Sequence, residues 1–251
     1  MSALSWPKAP AWGPLYRIGG IAGLLFVLFD AAALVLNLNP PPVSGGEATL
    51  RFIADHKASY IALQLLWLVP ALFGLIVFVA LLTALLPTSP SLAVLGFAVG
   101  GASWTALLAV PVTSQGALSL VYLSDQYADA VDPTSRSAFA TAAEALVAEN
   151  NTVSLAGVLT PLGILLISLP MLRGALPHWA GWLGLATGTL GLAAESLRFM
   201  APALYTVYGP LMLVWIAVVG ISLLRLPRHG ESPARSFNRR PLRAPRGHRT
   251  A

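Results

Sequence analysis

Apolar and polar positions along this chain fall into long apolar runs separated by short polar stretches. Six runs reach membrane-spanning length, near residues 15–37, 59–86, 91–112, 152–172, 179–200 and 203–226. About 20 apolar residues at 1.5 Å rise each cross a hydrocarbon core of roughly 30 Å. Backbone N–H and C=O groups must be paired internally there, which leaves only helices or closed barrels. The two-residue alternation of barrel strands is missing. The pattern therefore predicts an all-α fold, a polytopic six-helix transmembrane bundle. It divides the chain into a cytoplasmic N-terminal segment (1–14), the transmembrane domain (15–226) and a basic cytoplasmic tail without regular structure (227–251).

Two of the polar gaps carry helical patterns of their own. Residues 38–58 open on Asn39-Pro40-Pro41-Pro42, which cannot be helical, and then place Ser44 three residues before Glu47, the spacing of a capping box. Leu50, Ile53 and Ala54 continue as an apolar stripe, so a short interfacial helix is expected. The segment 113–151 reads as a continuation of the third span that restarts after Asp132-Pro133, an N-cap aspartate followed by proline at the first helical position. Phe139, Ala142, Ala143, Leu146 and Val147 then recur at helical spacing up to about Glu149. Both amphipathic segments are expected on the extracytoplasmic side, over the mouth of the bundle.

Composition agrees: 56% of residues are hydrophobic, 10% are charged and the mean hydropathy is +0.73, whereas soluble domains carry about 25% charged residues. With no cysteine, disulfides, thiolate metal sites and cysteine nucleophiles are excluded. The first span has no small-residue cleavage site after it and reads as a retained signal anchor. Lys8, Arg17, Arg173 and the tail arginines from Arg225 to Arg249 put eleven basic residues on one side, against four on the other: Arg51, Lys57, Arg136 and Arg198. The positive-inside rule then places both termini in the cytoplasm of a bacterial plasma membrane protein. Trp12, Trp179 and Trp182 fall at span ends, where an aromatic belt would sit.

Inside lipid, apolar helices associate chiefly through close backbone approach at small residues. Gly19 and Gly23, Gly96 and Gly100, and Gly184 and Gly188 supply Gly-xxx-Gly pairs on the first, third and fifth spans. Only two of the ten carboxylates, Asp30 and Glu195, lie within spans. Each shares the glycine face of its helix: Gly19, Gly23 and Asp30 on the first, and Gly184, Gly188, Gly191 and Glu195 on the fifth. A charge facing lipid at mid-bilayer costs on the order of 3 kcal/mol, so both acids should point into the bundle. Arg198 follows Glu195 by one turn, while Gln64 and Asn151 lie at comparable depth on the second and fourth spans. The expected site is an outward-opening polar pocket lined by spans 1, 2, 4 and 5, with Asp30, Glu195, Arg198, Gln64 and Asn151 as ligand-binding residues and Arg198 paired to one of the two acids.

No Gly-x-Ser-x-Gly, Walker A or dinucleotide fingerprint occurs, and neither His56 nor His178 has a second histidine at ligand spacing. No catalytic residue, metal or cofactor is therefore assigned. The arginine-rich tail lacks aromatic interleaving, so anionic lipid head groups are its expected partner rather than nucleic acid. The inverted repeats of many transporters are absent.

The segment Leu176-Pro177-His178-Trp179-Ala180-Gly181-Trp182-Leu183-Gly184 resembles the Leu-Pro-x-Trp-x-Gly-Trp-Leu-Gly stretch of the bacterial family called domain of unknown function 4386. Tyr16-Arg17-Ile18-Gly19-Gly20 and the run from Tyr208 to Trp215 fit the same plan. The resemblance implies the six-helix topology and brings no activity or catalytic residue with it. The leading functional reading is a non-enzymatic membrane protein whose pocket takes a small amphipathic or cationic ligand, or a proton. An intramembrane enzyme acting on a lipid or isoprenoid-like substrate, and an assembly subunit of a membrane complex, are the alternatives.

Overall fold

The computed structural model describes residues 12–36, 45–109, 112–113, 116–174 and 176–226. Ser44 of the expected capping box, the prolines before it, the N-terminal segment up to Ala11 and the basic tail from 227 onward lie outside the described residues. Six helices follow the six apolar runs: α1 (Gly13–Leu36), α3 (Lys57–Leu85), α4 (Pro90–Ala109), α7 (Leu155–Met171), α8 (His178–Ser196) and α9 (Leu204–Arg225). Three shorter helices, α2 (Gly46–Asp55), α5 (Ser119–Asp129) and α6 (Pro133–Asn150), and a two-strand ladder of β1 (Val112–Thr113) and β2 (Gly116–Ala117) make up the remaining regular structure among the described residues.

Each of the six long helices packs on its neighbours in sequence, and α1 closes on α9, so the bundle is a ring. Close glycine contacts draw the ring tight. Gly163 of α7 lies against the backbone of Gly100 in α4, and Gly23 of α1 lies against Gly220 of α9. A large apolar core fills the end away from the short helices, where the fully buried Trp215 meets Phe78 with ring centroids 6.3 Å apart. Trp12, Trp179 and Trp182 are exposed at that same end, as a belt in contact with head groups would be.

By length and composition, five helical stretches among the described residues could cross a membrane, one fewer than the six expected. One of the five, Pro133–Met171, is in fact two helices. It breaks after Asn150, and the Ser154 hydroxyl caps α7 by accepting from the Gly157 N–H at 2.9 Å. The run that falls short is α8, whose apolar content is diluted by His178, Glu195 and four glycines. Those glycines seat α8 between α7 and α9, so its place in the ring comes from packing rather than from hydropathy.

The short helices form a cap over one end of the ring, with a core of Leu50, Ile53, Tyr60, Leu120, Ala143 and Val147. The expected helix near Glu47 is α2, its N-cap being Gly45 with φ 90°. The expected continuation of α4 into 113–151 is corrected: α4 stops at Ala109, and the β1–β2 ladder turns the chain into a separate helix, α5. Tyr60 fixes that turn, its hydroxyl donating to the Ala117 carbonyl (3.2 Å) and accepting from the Ala117 N–H (3.1 Å). Ser124 donates to the Leu50 carbonyl at 2.8 Å, Lys57 pairs with Asp125 at 2.7 Å, and Arg51 pairs with Glu47. Asp132 caps α6 as expected, accepting from the Ser135 N–H at 2.8 Å. The hydroxyl and backbone N–H of Ser135 hold the Asp132 carboxyl below its ordinary range.

Candidate functional site

Inside the ring at the cap end lies a cavity of about 240 Å³. Its deep wall is aromatic: Phe26 of α1, Trp67 of α3, Trp104 of α4, and Tyr205 and Tyr208 of α9. Phe26 and Trp104 pack edge to face at 5.4 Å, and Tyr205 and Tyr208 do so at 6.0 Å. Asp30 of α1 lines the same space at 4% exposure and makes no hydrogen bond or ion pair to any described residue. The indole N–H groups of Trp67 and Trp104 and the Asn150 side-chain oxygen are likewise buried without partners. Such groups are uncommon in native structures, and three in the wall of one cavity mark a place built to hold something polar.

Toward the cap the wall turns polar. Glu149, Asn150, Thr152 and Ser154 line it from the break between α6 and α7, and Arg198 lines it from the turn after α8. Glu195, the last carboxylate of α8, is 1% exposed and lies against α7. Its Oε1 accepts from the Ser154 N–H at 2.8 Å, and any side chain at Gly157 would overlap the carboxylate. Arg198 Nη1 donates to Glu195 Oε2 and to the Tyr205 hydroxyl, both at 3.2 Å, and Nη2 donates to the Asn150 carbonyl at 3.4 Å. The guanidinium also stands 5.1 Å above the Tyr205 ring. One ion pair thus ties together the end of α6, the start of α7, the end of α8 and the start of α9. Behind the wall, Ser103 donates to the Ala156 carbonyl at 3.0 Å and shares a 2.5 Å hydrogen bond with Thr160.

The expected site is therefore assembled in part. Asp30 and Arg198 line one cavity, and Arg198 pairs with Glu195 rather than with Asp30. Gln64 is buried beside Gly116 under the ladder, away from the cavity wall. Asn151 is exposed and caps α6, its side chain donating to the Val147 carbonyl at 2.8 Å; its neighbours Asn150 and Thr152 line the cavity in its place. All six helices of the ring approach the site, not the four expected. The sequence does not announce the aromatic wall, because a tryptophan in an apolar run reads equally as core or lipid face. The one available signal was Tyr205 and Tyr208, whose i,i+3 spacing puts two polar-tipped rings on one side of a helix.

Electrostatically, Glu195 and Arg198 cancel, which leaves Asp30 as the uncompensated charge deep in the cavity. An isolated carboxylate taken out of water costs several kcal/mol unless a cation or proton joins it. Among the described residues, no three His, Asp or Glu side chains gather as a metal site would need. No curated protein and no solved structure matches the chain. Residues 21–225 match the family model described as "Domain of unknown function (DUF4386)". With its ring of apolar helices and that match over most of its length, the chain is a multi-pass membrane protein of the DUF4386 family.

Proposed function

We propose that the cavity binds a small organic cation, with the Asp30 carboxylate as counter-charge and the rings of Phe26, Trp67, Trp104, Tyr205 and Tyr208 as its walls. The observation that carries this reading is the unpartnered, 4%-exposed Asp30 in an aromatic cavity whose other buried charges are already paired. A desolvated cation over an aromatic face gains about 2 kcal/mol or more, beyond its attraction to the carboxylate. A proton competes for the same oxygen atoms, so binding weakens as the pH falls.

Tetraethylammonium is the simplest probe. It should raise the melting temperature of the purified protein in proportion to the logarithm of its concentration above the dissociation constant, with about 2.7 kcal/mol of stabilisation at a hundred times that constant. Asp30→Asn, which keeps the shape and removes the charge, should abolish the shift. Equal stabilisation of the Asn variant, or none of either protein by any organic cation, would sink the reading.

The charge asymmetry supports a plasma-membrane orientation with both termini in the cytoplasm, the cap outside and the arginine-rich tail against anionic lipid head groups. The natural absence of cysteine makes this directly testable. In intact cells an impermeant maleimide should label Ala138→Cys on the cap and spare Thr88→Cys between α3 and α4 until the cells are opened. The reverse pattern would invert the topology.

A further inference from the structure

The seam between α1 and α9 is closed at one end of the bundle and open at the other. Away from the cap it is tight: a side chain on Gly20 would strike Leu224 and the Gly220 carbonyl, and one on Gly23 would come within 3.1 Å of the Gly220 backbone. Eleven residues back along α9 sits Gly209. Eleven residues make just over three whole turns, so Gly209 lies within about 20° of the α1-facing side that Gly220 occupies, and about 16 Å nearer the cap. A Cβ added there would meet no described residue within 4 Å.

Going the same height up the antiparallel α1 from Gly23 leads past Asp30 to Leu34. The two helices thus touch backbone to backbone below Asp30, and no described residue fills the space beside Gly209 just above it. Pro210, which cannot donate to the Thr206 carbonyl, interrupts the hydrogen-bond ladder of α9 at this height. Leu34 and Val35 of α1 border the opening and are exposed and apolar, as suits residues that face acyl chains rather than water.

We propose that the cavity opens sideways into the bilayer between the cap-end halves of α1 and α9, and that its occupant is a cationic amphiphile, its head group beside Asp30 and its hydrocarbon chain leaving past Gly209. This rests on the cation reading above and adds the route and the chain. The charge at the site selects the head group. Among the described residues Asp30 lacks a partner, Glu149 adds a second carboxylate on the cap side of the cavity wall, and Arg198 is already neutralised by Glu195, so an anionic head would find no free cation among them. The apolar flanks select the tail. Each methylene kept out of water contributes about 0.8 kcal/mol, so a chain in the seam strengthens binding without any change at Asp30.

The test is displacement of radiolabelled tetraethylammonium from the full-length protein in lipid nanodiscs. Dodecyltrimethylammonium should displace it at a concentration at least tenfold lower than unlabelled tetraethylammonium, and the neutral dodecyl maltoside should not displace it. Gly209→Phe fills the open seam and replaces the weakest helix former short of proline, so it is expected to fold. It should erase the advantage of the dodecyl chain and leave tetraethylammonium affinity unchanged, while Gly209→Ala should behave as wild type. A dodecyl advantage that survives Gly209→Phe would overturn the side opening and leave the cation site standing; no binding of either cation would overturn both. A second readout needs no variant. Trimethylammonium carrying a dodecyl chain with a terminal diazirine should photolabel Leu34 or Val35, and adducts confined to the cap helices would contradict the proposed path.

Discussion

Glu195→Ala should lower the melting temperature by roughly 10 °C, a larger loss than any other single charge removal in the bundle. The variant takes away the acceptor of the Ser154 N–H and the counter-charge of Arg198 together. Removing one partner of a buried ion pair costs about 3 kcal/mol or more, because the remaining charge stays largely shielded from water. In a domain of this size 1 kcal/mol moves the midpoint by about 3 °C. Ser154 is the N-cap of α7, so its amide would also be left without a partner beside the cavity.

Two companions separate these contributions. Glu195→Gln keeps an acceptor for Ser154 and should recover a third to a half of the loss. Adding Arg198→Met to Glu195→Gln should recover most of the remainder, since the stranded guanidinium is then gone. If Glu195→Ala melts within 2 or 3 °C of the wild type, the four chain segments at the cap end are not held by this pair, and the account of the site's shape fails with it.

Gly163→Val should be more damaging still to the fold, abolishing the monodisperse protein in detergent. Helices in lipid gain little from the hydrophobic effect when they meet, so the α4–α7 contact depends on how closely the two backbones approach. A Cβ at Gly163 would come within 2.6 Å of the Gly100 backbone nitrogen, and backbone, unlike a flexible side chain, cannot step aside. The added bulk must push α4 and α7 apart along the seam that also positions Thr160 and Trp104 in the cavity wall. Overpacking typically costs about 1–3 kcal/mol, and a clash with backbone lies at the upper end of that range or beyond it. Gly209→Ala is the matched control, with open space around it. Size-exclusion profiles in which both variants match the wild type would show that close glycine packing does not hold the ring.

The ring itself was legible from the sequence because it depends on one-dimensional information. Lengths of apolar runs fix the helices, and steps of three and four fix which glycines and which acid share a face. That is why the glycine series ending at Glu195 reads correctly as a buried stripe even though the helix is too polar to pass as a span on hydropathy alone. The cap was only half legible. Asp132-Pro133 announced α6 through local chemistry, whereas the end of α4 was overrun, although Pro111 disfavours helix in the residue before it.

The site was least legible. Asp30 stood out because a lone acid in an apolar run is conspicuous. Its lack of a partner could not be seen, since that depends on Arg198 turning toward Glu195, Asn150 and Tyr205 instead. Gln64 was misplaced for the same kind of reason: depth along a helix is readable, but rotation about the helix is set by its neighbours, and Gln64 turns toward the ladder. Trp67 and Trp104 join one wall only because the ring brings α3 and α4 side by side.

The most direct measurement is the position of a heavy-atom cation in the intact protein. Tetramethylarsonium carries one positive charge and an arsenic atom that scatters anomalously, so a crystal grown in its presence reports its location without any assumption about affinity. The expected result is a single strong anomalous peak within the ring of Phe26, Trp67, Trp104 and Tyr208, in contact with Asp30 and absent from crystals of Asp30→Asn. A peak at Glu149 or on the surface of the cap, with the space beside Asp30 empty, would contradict the account.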